Sequence, residues 1–60
     1  MNTIRDLEGF PVTERKTGRT GKVEVEFVTN ALLAVRYDDD GSLVGYMALY
    51  LFQEEWKPKK

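Results

Sequence analysis

The sequence predicts an all-β fold, a small five-stranded barrel or strongly curled antiparallel meander with a short helical turn at its N-terminus. Three observations carry this expectation. Val23, Val25 and Phe27 alternate with Lys22, Glu24 and Glu26, the period of two that marks a strand with one buried and one wet face. Leu33, Val35 and Tyr37 alternate with Leu32, Ala34 and Arg36, and the charge on Arg36 assigns its parity to solvent. Asp38-Asp39-Asp40-Gly41 then separates two apolar runs, and Gly41 can take the left-handed conformation that closes a three-residue hairpin loop with a bulge.

Taken in order, residues 1–10 form an N-terminal arm. Thr3 followed by Asp6 fits a capping box, Ile4 and Leu7 share a helical face, and Gly9 can end the turn. Pro11 then forces an extended path. Phe10, Val12 and Glu14 read as a short first strand, which Pro11 places at a sheet edge. Arg15 to Lys22 is a basic, glycine-bearing loop, and Gly21 leads into the central strand.

Parity sets the expected register. A three-residue loop centred on Asn30 pairs Phe27 with Leu33 and Val25 with Val35, whereas a two-residue loop would put Arg36 in the core. With Asp39 to Gly41 as the second loop, Asp38 opposes Ser42, Tyr37 opposes Leu43 and Val35 opposes Gly45. Opposed residues share a face, so Leu43 and Met47 are expected inside, and Val44 and Tyr46 outside. The run Met47 to Phe52 either continues as strand or breaks into a short turn before a last strand. Residues 57–60 are expected to fray as a polar tail.

Sixty residues make one small domain, 1–60, of a size that buries about 60% of its unfolded surface. The chain has neither cysteine nor histidine, which removes disulfide reinforcement and the usual zinc ligands and leans towards a cytoplasmic setting. Aromatics make up 12% of the residues, enough for a real but small core. Net charge is −1, unlike a generic nucleic-acid coating protein. No apolar run approaches the roughly 20 residues that span a bilayer, and the N-terminus lacks the layout of a signal peptide.

Two motifs invite functional readings and fail on spacing. In Thr17-Gly18-Arg19-Thr20-Gly21-Lys22, two residues separate the glycines and a strand comes next, so the helix N-terminus that holds phosphate in a Walker loop is missing. The three aspartates are consecutive, whereas a calcium loop alternates its ligands and ends in a bidentate glutamate. Catalysis has little to draw on: the only serine, Ser42, lies in a turn, and Glu24 and Glu26 share a wet strand face. The expectation is a protein without enzymatic activity, cofactor or metal.

Two surfaces remain. Arg15, Lys16, Arg19 and Lys22 could meet phosphates. Val28, Leu32, Ala34, Val44 and Tyr46 put apolar groups on the face that should be wet. Ile4, Leu7, Phe10, Phe52 or Trp56 must cover some of them. The rest predict an interface at Tyr46, Tyr50, Trp56, Val44 and Leu32.

From Val12 to Trp56 the pattern resembles the SH3-like small β-barrels, in particular the KOW and Tudor-like groups. A first strand and loop lead to a glycine-started strand, Gly21-Lys22-Val23. A strand then ends at an acidic-glycine turn, Val35 to Gly41, and a tyrosine-bearing stretch, Tyr46 and Ala48-Leu49-Tyr50, leads to a closing strand. The resemblance implies a binding module whose partner is another protein or a second copy of the chain. Nucleic acid held by Arg15, Lys16, Arg19 and Lys22 is the alternative. It also implies that Tyr37, Tyr46 and Tyr50 would form a Tudor-type aromatic cage if they converged.

Overall fold

The computed structural model describes residues 4–28 and 31–59, with side chains from residue 6 onwards. A 3-10 turn, Ile4–Leu7, precedes five antiparallel strands: β1 (Pro11–Glu14), β2 (Thr20–Val25), β3 (Leu32–Tyr37), β4 (Met47–Ala48) and β5 (Trp56–Pro58). One short helix, α1 (Leu49–Glu55), separates β4 from β5. The strands form a single sheet in the order β4-β3-β2-β1-β5, curled into a half-barrel. At this coarse level the architecture is consistent with an SH3-like barrel.

The core lies on the concave face, where Val12, Val23, Val25, Leu33 and Val35 meet Phe52 and Trp56. Leu7, Tyr37, Val44 and Met47 pack around this set. Each large buried side chain contributes about 1.5–3 kcal/mol, so seven such residues dominate the stability of a chain this short.

Helix α1 exists because of that core. Leu49, Phe52 and Trp56 recur at helical spacing, and Phe52 and Trp56 are buried. Ala48 precedes the helix without a side-chain cap. A seven-residue helix without a cap cannot persist alone, so tertiary packing holds it. The Trp56 N–H donates to the Phe52 carbonyl and turns the chain directly into β5. Lys57 and Pro58, expected in a frayed tail, instead pair with Thr13 and Val12, and the Lys59 N–H reaches the Pro11 carbonyl at 3.1 Å.

This arrangement corrects the place of β1. It lies between β2 and β5 rather than at an edge. Pro11 is tolerated because it is the first residue of its strand, where no ladder donor is required. The N-terminal arm is tied to β2: the Gly9 N–H donates to the Val23 carbonyl at 2.7 Å, and the Glu8 carboxylate accepts from the Val25 N–H at 2.7 Å. Gly9, with φ of 78°, ends the 3-10 turn. Thr3, the expected cap, lies outside the described residues.

Both hairpins differ from expectation in register. In the first, Val25 opposes Leu33 and Val23 opposes Val35, two residues from the expected pairing. A shift of two preserves the faces, so the inward set is right except for Phe27, which leaves the sheet and is 55% exposed. Gly21 gives the physical reason. It opposes Tyr37, and a Cβ there would lie 2.6 Å from the Arg36 carbonyl oxygen and 2.7 Å from Val35 Cγ1. The expected register would have set Gly21 against Asp39, where that close approach has no use. Asn30, the expected loop centre, lies outside the described residues.

In the second hairpin the loop has four residues rather than three. The Tyr37 N–H donates to the Ser42 carbonyl at 2.8 Å and the Gly41 N–H to the Tyr37 carbonyl at 3.1 Å, with Gly41 at φ 75°. Asp40 explains the added residue: its carboxylate accepts from both the N–H and the hydroxyl of Ser42, at 2.9 and 2.7 Å. Arg36 therefore opposes Leu43, so Leu43 points outwards and Val44 inwards, the reverse of the expectation. Met47 nevertheless opposes Leu33 as expected. Three steps on β3 match four on the returning chain, so one extra residue, a bulge, lies between Leu43 and Met47.

Candidate interaction surfaces

The basic loop and the acidic turn meet. Arg19 grips Asp39 with two bonds, Nη2 to Oδ1 at 2.9 Å and Nε to Oδ2 at 3.2 Å, and reaches Asp40 at 3.4 Å. Its guanidinium also sits 3.5 Å above the ring centre of Tyr37. Lys22 Nζ pairs with Asp38 at 3.2 Å, and the Thr20 hydroxyl donates to the same carboxylate at 2.9 Å. The hydrogen bond to Asp39 raises the pKa of Arg19. That from Thr20, together with a weaker effect from Lys22, lowers the pKa of Asp38, and the Ser42 backbone and hydroxyl bonds lower that of Asp40.

Two of the four cations assigned to phosphate contact are thus engaged within the chain. Arg15 and Lys16 have no ion pair among the described residues, but they share a concavity with Glu14, Glu54 and Glu55. The sequence placed Arg19 and Asp39 in separate loops twenty residues apart. Only the β2–β3 register brings them together.

Behind Arg19, the Tyr37 hydroxyl donates to Glu14 Oε1 at 3.0 Å, where Thr17 also donates at 2.7 Å. Burial, then this bond, raises the pKa of Tyr37. Its ring lies 5.8 Å from that of Trp56, tilted by 45°. Tyr46 lies instead within electrostatic reach of Arg36. Tyr37 is therefore covered by Arg19 and packed against Trp56, while Tyr46 and Tyr50 stay exposed.

The predicted interface residues divide. Trp56 is 2% exposed and Val44 is packed against the core, so neither offers a surface. Packing decides this, because α1 delivers Trp56 into the half-barrel and the four-residue turn reverses Val44. Leu32, Tyr46 and Tyr50 remain exposed, Tyr50 by 67%. Leu43, opposite Arg36 and on its outward parity, is exposed as well, beside an Arg36–Glu24 ion pair whose second bond, Nη2 to Oε1, is 3.2 Å. That pairing raises the pKa of Arg36 and lowers that of Glu24. Ala34, on the same parity as Arg36, is fully buried.

A groove of about 430 Å³, not anticipated from the sequence, runs between the N-terminal arm, α1 and β5. Leu7, Phe10, Leu49, Phe52, Trp56 and Pro58 supply its apolar walls. Among the described residues, its charged lining consists of Arg15 and Lys57. The Trp56 Nε1–H is buried with no acceptor among the described residues. The helical spacing of Leu49, Phe52 and Trp56 was the one available signal for this groove, and its first two members lie inside a run that also reads as strand.

No protein-family model, curated protein or solved structure matches the chain. Among the described residues, no helix is long and apolar enough to cross a membrane.

Proposed function

We propose that the protein is a non-enzymatic binding module that contacts another polypeptide, or a second copy of itself, through its exposed apolar surface. One observation carries the reading. Nine large apolar side chains stay more than a third exposed among the described residues, Leu32, Leu43, Tyr46 and Tyr50 among them. Tyrosine in such a setting contributes both contact area and a hydrogen-bonding tip. The finer likeness to the KOW and Tudor-like groups rests on the residue pattern alone and implies the same class of function.

The test compares the native chain with a Tyr46→Ser, Tyr50→Ser double variant. Both tyrosines are exposed, so the variant keeps its circular dichroism spectrum and melting behaviour. Sedimentation equilibrium across a wide concentration range reads self-association, and affinity capture with quantitative proteomics reads other polypeptides. The expected result is a complex formed by the native chain and lost in the variant. Identical complexes in both, or none in either, would remove this surface as the binding site.

A further inference from the structure

We propose that the groove between the N-terminal arm, α1 and β5 receives one large apolar side chain from an acidic peptide segment. This deepens the reading of the protein as a polypeptide-binding module and assigns the partner's chemistry at a site distinct from Tyr46 and Tyr50.

Size, wall chemistry and charge lead to this occupant. At about 430 Å³ the groove falls near the low end of small-ligand sites, with room for one large side chain together with the backbone that carries it. Phe10 and Leu49 keep 40% and 38% of their surface exposed at its walls, while Phe52 and Trp56 are buried. Such a gradient gives an anchoring side chain a dry floor and an apolar rim.

Charge then selects the flanking residues. Among the described residues, both charged side chains lining the groove are cations, Arg15 and Lys57. Each is exposed, and neither has an ion-pair partner among the described residues. Arg15 stands on the border with the neighbouring concavity, which Glu14, Glu54 and Glu55 also line, but those carboxylates do not line this groove. An acidic segment is therefore the complementary partner, and a basic one is disfavoured.

Strand addition is not the binding mode here. Pro58 has no N–H to offer beyond the edge of β5, and Trp56 gives its N–H to the Phe52 carbonyl. Anchoring by a side chain is what the groove allows.

Trp56 is the only tryptophan in the chain, so its emission reports on the groove directly. The experiment titrates the full chain with two blocked tetrapeptides, Glu-Phe-Ile-Glu and Lys-Phe-Ile-Lys, following Trp56 fluorescence and amide shifts. The expected result is a saturable change with shifts at Leu7, Phe10, Leu49 and Gln53, and at least fivefold tighter binding of the acidic peptide. An Arg15→Gln, Lys57→Gln double variant alters two exposed side chains and should bring that preference within twofold. Equal binding of both peptides, no saturable response, or a preference that survives the double variant would overturn the proposal. Shifts confined to Tyr46 and Tyr50 would also overturn it while supporting the broader reading. Groove binding with Tyr46→Ser, Tyr50→Ser unaffected in every complex would instead leave this proposal standing and remove the tyrosines as a binding surface.

Discussion

The C-terminal segment and the acidic turn each fasten a distant part of the chain to the sheet, by different means. The first uses packing: Phe52 and Trp56 enter the concave face, and β5 pairs with β1. The second uses charge: Asp38, Asp39 and Asp40 hold Lys22 and Arg19 in exposed ion pairs. The regions touch through Tyr37, which Arg19 covers and which packs against Trp56. Buried apolar area stabilises this fold far more than exposed charge does, since surface pairs lose side-chain entropy and are screened by salt. Ion pairs contribute here chiefly by fixing where the two loops lie.

Mutation of the packed region should give the largest effect. Trp56→Ala is expected to cost about 3–5 kcal/mol, a large share of the stability of any small domain. Urea unfolding should show a loss of most folded molecules. Trp56→Phe should be much milder, because the indole N–H has no acceptor among the described residues to lose. If the two variants proved equally damaging, a hidden partner for Nε1 would have to exist.

Next comes Gly21→Ala, at about 1–3 kcal/mol, because the added methyl meets backbone at 2.6 Å. A near-neutral result in the same unfolding assay would mean that the β2–β3 register differs from the one described.

Tyr37→Phe sits where the regions meet. It removes the hydroxyl donated to Glu14 and keeps the ring, so a loss of about 1 kcal/mol is expected. Retention of full stability would show that Glu14 is satisfied by Thr17 alone.

The smallest effect belongs to the ionic contacts. Asp39→Asn should lower the thermal midpoint by no more than a few degrees at low salt and by less at high salt. A drop as large as that of Trp56→Ala would reverse the comparison. Acid should act in the same direction. Asp38 and Asp40 have folded pKa values lowered by their bonds to Thr20, Lys22 and Ser42. Their contribution is present above the ordinary aspartate value of about 3.9 and is lost as pH falls through the lower folded values. Thermal melts between neutral pH and strong acid should therefore decline only at the acid end, and less in an Asp38→Asn, Asp40→Asn variant.

Alternation by itself determined which residues of β2 and β3 face inwards, because a strand's side chains change face at every step and Arg36 must stay wet. It also placed the turn at the three aspartates and Gly41, whose chemistry suits no regular element. Local pattern could not choose among registers differing by two residues, which leave every face unchanged. The close approach of Gly21 to β3 made that choice. Nor could it decide whether Met47 to Phe52 is strand or helix, since a short apolar run satisfies both periods. The half-open barrel decided it: a helix lets Phe52 and Trp56 enter one core, which in turn leaves Tyr50 outside. The Arg19–Asp39 contact and the groove belong to the tertiary structure for the same reason. Each joins residues far apart in sequence, and only the paired strands determine their separation.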